Sequence, residues 1–123
     1  MFYKSVKNAT FHIMDLKKFI ADWIAVGNSY DTAKWLSFFQ PDAVLDDPSV
    51  GRTFTGHEGI RNYFESYFIG YKTKSKLIGM TPSGEGAFVE VEFTGDFPEG
   101  KLRGTFDLVI TEDKISFVTA DLK

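Results

Sequence analysis

The chain has 123 residues, a formal net charge of −3, no cysteine and thirteen phenylalanines. A domain of this size buries roughly two thirds of the surface its unfolded chain exposes, so it needs no disulfide staple. The composition excludes thiolate chemistry. It leaves no basic footprint for nucleic acid or an anionic membrane, and no apolar run approaches the length of a membrane span.

Residues 1–14 read as an N-terminal arm. They carry early charge and His12 but no apolar signal-peptide core, and with the absence of cysteine this fits a cytoplasmic protein. From Asp15, a plausible N-cap, Leu16, Phe19, Ile20, Trp23 and Ile24 recur at the spacing of one helix face, and Gly27 offers a stop. Asp31 is placed to cap a second, shorter helix carrying Trp35, Leu36 and Phe39, ended by Pro41. A short strand, Ala43 to Asp47, runs into a turn with Pro48 and Gly51. Thr55 and Glu58 have the spacing of a capping box for a third helix, whose buried stripe is Ile60, Tyr63, Phe64, Tyr67 and Phe68. His57, in its first turn, reads as a surface residue.

After Gly70 the period drops to two. A strand region around Leu77 ends near Pro82. "AFVEVEFTGDF" and "KLRGTFDLVI" then alternate apolar with polar residues, and "KISFVTADL" closes the chain. Short turns between these strands predict an antiparallel meander. Helices ahead of such a sheet make an α+β domain, and the space between them is where a small apolar ligand would bind. The aromatic side chains read first as core filler.

The stretch "DAVLDDPSVG" holds two adjacent acids. Strand side chains alternate faces, and Pro48 keeps the residue before it extended. Asp47 therefore shares a face with Ala43 and Leu45, while Asp46 points the other way. Asp47 is either a carboxylate aimed into the interior or a turn aspartate bonded to nearby backbone N–H groups. Asp107, by the same alternation, faces away from Phe106 and Leu108, and a surface ion pair with Arg103 is the plain alternative to a functional role. Two histidines without matching acids make no metal site, and no glycine-rich phosphate loop or nucleophile arrangement is present. No cofactor is expected.

The run "ADWIAVGNSYDTAKWLSFFQPDAVLDDPSVG" leading into "FTGHEGIRNYF" resembles the nuclear transport factor 2-like superfamily, within it the ketosteroid isomerase and SnoaL-like polyketide cyclase group. The resemblance covers residues 15–123 as a single SnoaL-like domain. It implies a cone-shaped α+β fold, with three N-terminal helices packed on a strongly curved antiparallel, partly mixed sheet. It also implies a homodimer through the sheet's outer face. Apolar residues on both parities of the last strands, such as Leu108 with Val109 and Phe117 with Val118, agree with a second covered face.

The resemblance also assigns roles. The aspartate before the proline is the general base of ketosteroid isomerases, here Asp47. A protonated carboxyl on a late strand donates to the developing oxyanion, here Asp107. The oxyanion tyrosine of the first helix corresponds to Trp23, and its supporting tyrosines to Phe39 and Phe64. Indole and phenyl groups there imply little isomerisation of a Δ5-3-ketosteroid. The function implied is binding of a hydrophobic, carbonyl-bearing small molecule, with proton transfer of isomerase, cyclase or dehydratase type. Asp47 and Asp107 would be catalytic, with Trp23, Phe39, Phe64 and Tyr63 around the substrate. The alternative is a non-catalytic binding or dimerisation module whose cavity is filled by its own phenylalanines.

Overall fold

The computed structural model describes the backbone of residues 2–123 and the side chains of residues 16–123. His12 lies outside the described side chains, and Asp15, expected to cap the first helix, instead falls inside that helix, which begins at Phe2. Helix α1 spans Phe2–Ser29 and is followed by α2, Thr32–Leu36. Strands β1, Phe39–Asp47, and β2, Arg52–Thr55, precede α3, Gly56–Phe64, which continues through a π-helical turn, Glu65–Ile69. Four strands complete the chain: β3, Lys74–Ser83; β4, Gly86–Thr94; β5, Lys101–Thr111; and β6, Lys114–Leu122.

The strands form one sheet in the order β2-β1-β6-β5-β4-β3. The β3–β6 meander is antiparallel as its alternation predicts, and β6 returns to lie parallel to β1, which makes the sheet mixed. The α+β class is as expected. α1 packs against β3, and α3 against β1 and β2.

Local chemistry explains most boundaries. Asp31 caps α2 as expected, its carboxylate accepting from the Lys34 N–H at 3.1 Å. The second helix is shorter than predicted. It ends at Leu36, and Phe39 and Pro41 belong to β1. Pro41 is tolerated there at the start of the strand, where one missing N–H costs little. Gly27 is not the stop of α1. The left-handed residue at the helix end is Tyr30, at φ 62°. That conformation is costly for a side chain with a Cβ. Tyr30 is held in it by its phenol, which donates to the Thr73 carbonyl at 3.0 Å, and by the Lys74 ammonium 4.3 Å above its ring. The capping box of α3 does not form, since Thr55 makes no side-chain cap bond. Thr55 is instead the last residue of β2, a strand absent from the sequence reading. Its pairing Leu45↔Phe54 and Asp47↔Arg52 fixes the end of β1.

The core lies between the helices and the inner face of the sheet. Leu45, Val89, Val91, Phe106, Leu108, Ile115 and Val118 face Ile20, Trp23, Trp35, Ile60 and Phe64. Ring contacts tie the layers together. Trp35 stacks on Phe64 at 4.3 Å between centroids, and Trp23 meets Phe106 edge to face at 5.0 Å. Such pairs add about 0.5–1.5 kcal/mol each beyond the area they bury.

Candidate functional site

Asp47 ends β1 with its side chain inward, only 5% exposed, on the same face as Ala43 and Leu45. Its Oδ1 accepts from the Ser49 N–H at 2.9 Å and from the Ser49 hydroxyl at 2.5 Å. Its Oδ2 accepts from the Tyr63 hydroxyl at 2.8 Å. The two sequence readings of Asp47 are therefore both true. One oxygen closes an Asx turn over Pro48, and the other reaches into the interior. Both carboxyl oxygens therefore act as acceptors, one toward Ser49 and the other toward Tyr63.

Tyr63 comes from α3, one helical position from Phe64, with its ring against Phe54 at 5.1 Å and Tyr67 at 5.3 Å. The outer side of Phe54 carries the Arg52 guanidinium 4.6 Å from the ring centre. Burial raises the Tyr63 phenol well above the usual tyrosine value, and the charge and hydrogen bond of Asp47 add to that. Tyr63 is thus a phenol donor, and Asp47 is the acceptor of the pair.

Asp107 does not join them. Phe106 and Leu108 are buried on either side of it, while Asp107 is exposed on the outer face, in register between Phe88 and Thr119. This corrects its assignment to the interior, and the reason is the period of two that the sequence already displays. Nor does Asp107 pair with Arg103, whose guanidinium lies 3.5 Å from Glu90 and 4.0 Å from Glu92. Asp46 is on the outer face as predicted and accepts from the Thr53 hydroxyl at 3.0 Å.

Phe39 and Phe64 are completely buried packing groups. His57 is half-buried. Its Nε2 lies 2.9 Å from the Phe39 carbonyl, so that nitrogen carries the proton and ties the start of α3 to β1.

Trp23 lines a small void together with Ile24, Gly27, Trp35, Phe68, Ser75 and Phe106. The void has a volume of about 10 Å³, the room of one water molecule. Of the six site residues expected from the sequence, only Trp23 is among its walls; Asp47 and Tyr63 are not. Sequence reasoning missed Ser49 and Ser75. The spacing Asp47-Pro48-Ser49 is an Asx-turn signal that could have found the first; Ser75 left no such signal. Among the described residues no three His, Cys, Asp or Glu side chains group as for a metal ion, and no helix is long and apolar enough to cross a membrane.

The profile of the SnoaL-like domain matches residues 20–118, from the first buried helix face to the last strand. The chain belongs to the SnoaL-like domain family. Solved structures share the SnoaL-like fold at low identity. A protein from Sinorhizobium meliloti, provisionally assigned as a polyketide cyclase, aligns with a TM-score of 0.78 and 22% identity over 87% of this chain and 96% of its own. A provisionally assigned ketosteroid isomerase from Kribbella flavida aligns with a TM-score of 0.76 and 16% identity, covering 88% and 77%. SalBIII, an epoxide hydrolase/cyclase-like enzyme of pyran ring formation in the polyether salinomycin, aligns with a TM-score of 0.77 and 18% identity, covering 89% and 92%. No curated protein matches the sequence. These likenesses establish the nuclear transport factor 2-like fold, and fold alone does not fix chemistry.

Proposed function

We propose that this SnoaL-like protein binds an apolar, carbonyl-bearing small molecule and transfers a proton on it, with Asp47 as the base. One observation carries the reading: a carboxyl group is buried in an aromatic interior with a hydrogen-bond donor on each oxygen, a placement that is expensive unless the group is paired or used. Asp47 would take the proton from the carbon next to the substrate carbonyl, leaving an enolate whose charge sits on oxygen. Tyr63 orients the carboxylate and stays protonated while it does so. The Trp23 N–H is the donor available to a substrate oxygen. Asp107 has no part, because its side chain is on the other face of the sheet. The cyclase, isomerase and epoxide-opening assignments of structural neighbours are compatible with acid–base work at such a carboxylate.

The test is hydrogen–deuterium exchange at the α-carbon of a panel of cyclic ketones and enones in D2O, followed by proton NMR. Exchange above the buffer rate is expected for at least one member, falling about 10²–10⁴-fold in Asp47→Asn. If no ketone exchanges faster with the protein than without it, the proton-transfer reading fails.

A second reading is favoured by the void beside Trp23, which is too small for any organic ligand. In it the aromatic side chains fill the interior and the domain serves assembly. Both readings take the protein as a cytoplasmic homodimer. Phe88, Val109 and Phe117 stand exposed on the outer face of the sheet, with Val109 and Phe117 in register. A second copy related by a two-fold axis would cover this face. Light scattering is expected to give a dimer at micromolar concentration and a monomer for Phe117→Asp. A monomeric wild-type protein would end the dimer proposal.

A further inference from the structure

Three features of the Trp23 void point the same way. The first is an unpaired donor. Trp23 is 2% exposed, and its Nε1 has no hydrogen-bond partner among the described residues. A buried N–H without an acceptor costs about 1–3 kcal/mol, so native structures rarely leave one. The Trp23 ring cannot turn easily to find a partner, because Phe39 and Phe106 meet it edge to face and Trp35 is stacked 6.1 Å away.

The second feature is space of the right size. The void measures about 10 Å³, close to the minimum of roughly 10–15 Å³ that admits one water. Gly27 helps keep it open. A Cβ there would stand 3.4 Å from Trp35 Nε1. Glycine inside a helix is about 1 kcal/mol worse than alanine, and Gly27 is neither the stop of α1 nor left-handed. Its use here is the room that it leaves beside the two indoles.

The third feature is a second polar group. Ser75, buried as the second residue of β3, lines the same void. Its backbone is already engaged with Asn28, whose amide accepts from the Ser75 N–H at 2.7 Å and donates to the Ser75 carbonyl at 2.9 Å. The hydroxyl is the polar group that Ser75 has left to offer. It can donate or accept, whereas the indole can only donate.

We infer that the void is a built site for a single water molecule, which accepts from Trp23 Nε1 and bonds to Ser75 Oγ. A cation is the wrong occupant beside an N–H that can only donate, and any organic group is too large for the space as it stands. The site would hold one acceptor oxygen at a fixed point between α1 and β3. If the proposed ligand reading is correct, a substrate carbonyl reaching this end would have to replace that water and inherit its donor. The water site itself does not depend on that reading.

The experiment is a crystal structure of the unliganded protein at atomic resolution, with Ser75→Ala and Trp23→Phe alongside. A water peak is expected about 2.7–3.2 Å from Trp23 Nε1 and within reach of Ser75 Oγ. It should weaken or vanish in Ser75→Ala and be absent in Trp23→Phe. In solution, the Trp23 indole N–H should show a magnetisation-transfer peak to a long-lived water that the Ser75→Ala protein loses. An empty void with Trp23 in place overturns the inference, as does a protein acceptor found on Nε1. A water unchanged in Ser75→Ala removes Ser75 from the site and overturns the two-ligand geometry. None of these outcomes touches Asp47, so the proton-transfer proposal stands or falls separately in the exchange assay.

Discussion

On the inner face of β1, Asp47 is surrounded by Tyr63, Ser49 and buried rings. One residue earlier, on the outer face, Asp46 accepts from Thr53 and remains half-exposed. Asp107 repeats the outer situation two strands away. The difference between these acids is not in their chemistry or their sequence neighbours but in which side of the sheet they share with the core. Outside, water solvates the carboxylate and protein partners add little. Inside, desolvation makes every missing partner expensive, and the protein supplies a donor to each oxygen. A buried acid is thus recognised by what has been assembled around it.

Substitutions can break this contrast, the inner acid first. Asp47→Ala leaves the Tyr63 hydroxyl and the Ser49 groups without their acceptor, and is expected to cost about 3 kcal/mol in urea unfolding. Tyr63→Phe keeps the ring but strips Oδ2 of its donor, and about 2 kcal/mol is expected. The double variant should lose clearly less than the sum, because the second change removes a partner already orphaned by the first. Additive losses would mean that the 2.8 Å bond does not contribute in solution.

The pair also has a pH signature. The Tyr63 pKa is raised in the folded state from the usual 10.0, so its contribution is complete below about pH 10. It is lost as pH climbs from there through the folded value. The ultraviolet titration of the five tyrosines should show one phenol that ionises only as the chain unfolds. In Tyr63→Phe that component should disappear. A Tyr63 that ionises with the exposed tyrosines would contradict the buried bond.

The outer acids sharpen the comparison by doing little. Asp46→Asn and Asp107→Asn are each expected to change stability by less than about 0.5 kcal/mol, and Asp107→Asn to leave any ketone exchange unaltered. A large loss of exchange in Asp107→Asn would reopen its corrected assignment. The smallest effect belongs to Glu90, where the hydrogen bond from Lys123, at 2.7 Å, and the charges of Lys123 and Arg103 lower its pKa below the usual 4.5. Its contribution is present above that value and fades as pH falls through the folded one. Because the cluster is open to solvent, salt should erase most of it, which a comparison of acid unfolding of wild type and Glu90→Gln at low and high ionic strength would reveal.

The periodic parts of the fold were legible in the sequence. The helix face of Leu16 to Ile24, the cap at Asp31, the meander and the opposite facing of Asp46 and Asp47 all depend on neighbours a few residues apart, and such patterns survive folding unchanged. The same alternation set Asp107 opposite Phe106 and Leu108, and only the family resemblance drew it inward. Tertiary structure decided the rest. Phe39 lies beyond the end of α2 because β1 pairs with β6, and β2 exists because β1 needs a partner on its other edge. Tyr63 stood on a helical packing stripe and was expected beside the substrate, and only the crossing of α3 over β1 laid its hydroxyl against Asp47. The void beside Trp23 depends on α1, α2, the π turn, β3 and β5 meeting at one point. No local pattern encodes a meeting of five segments, because the space left between side chains is set by how whole elements pack and not by the order of residues along any one of them.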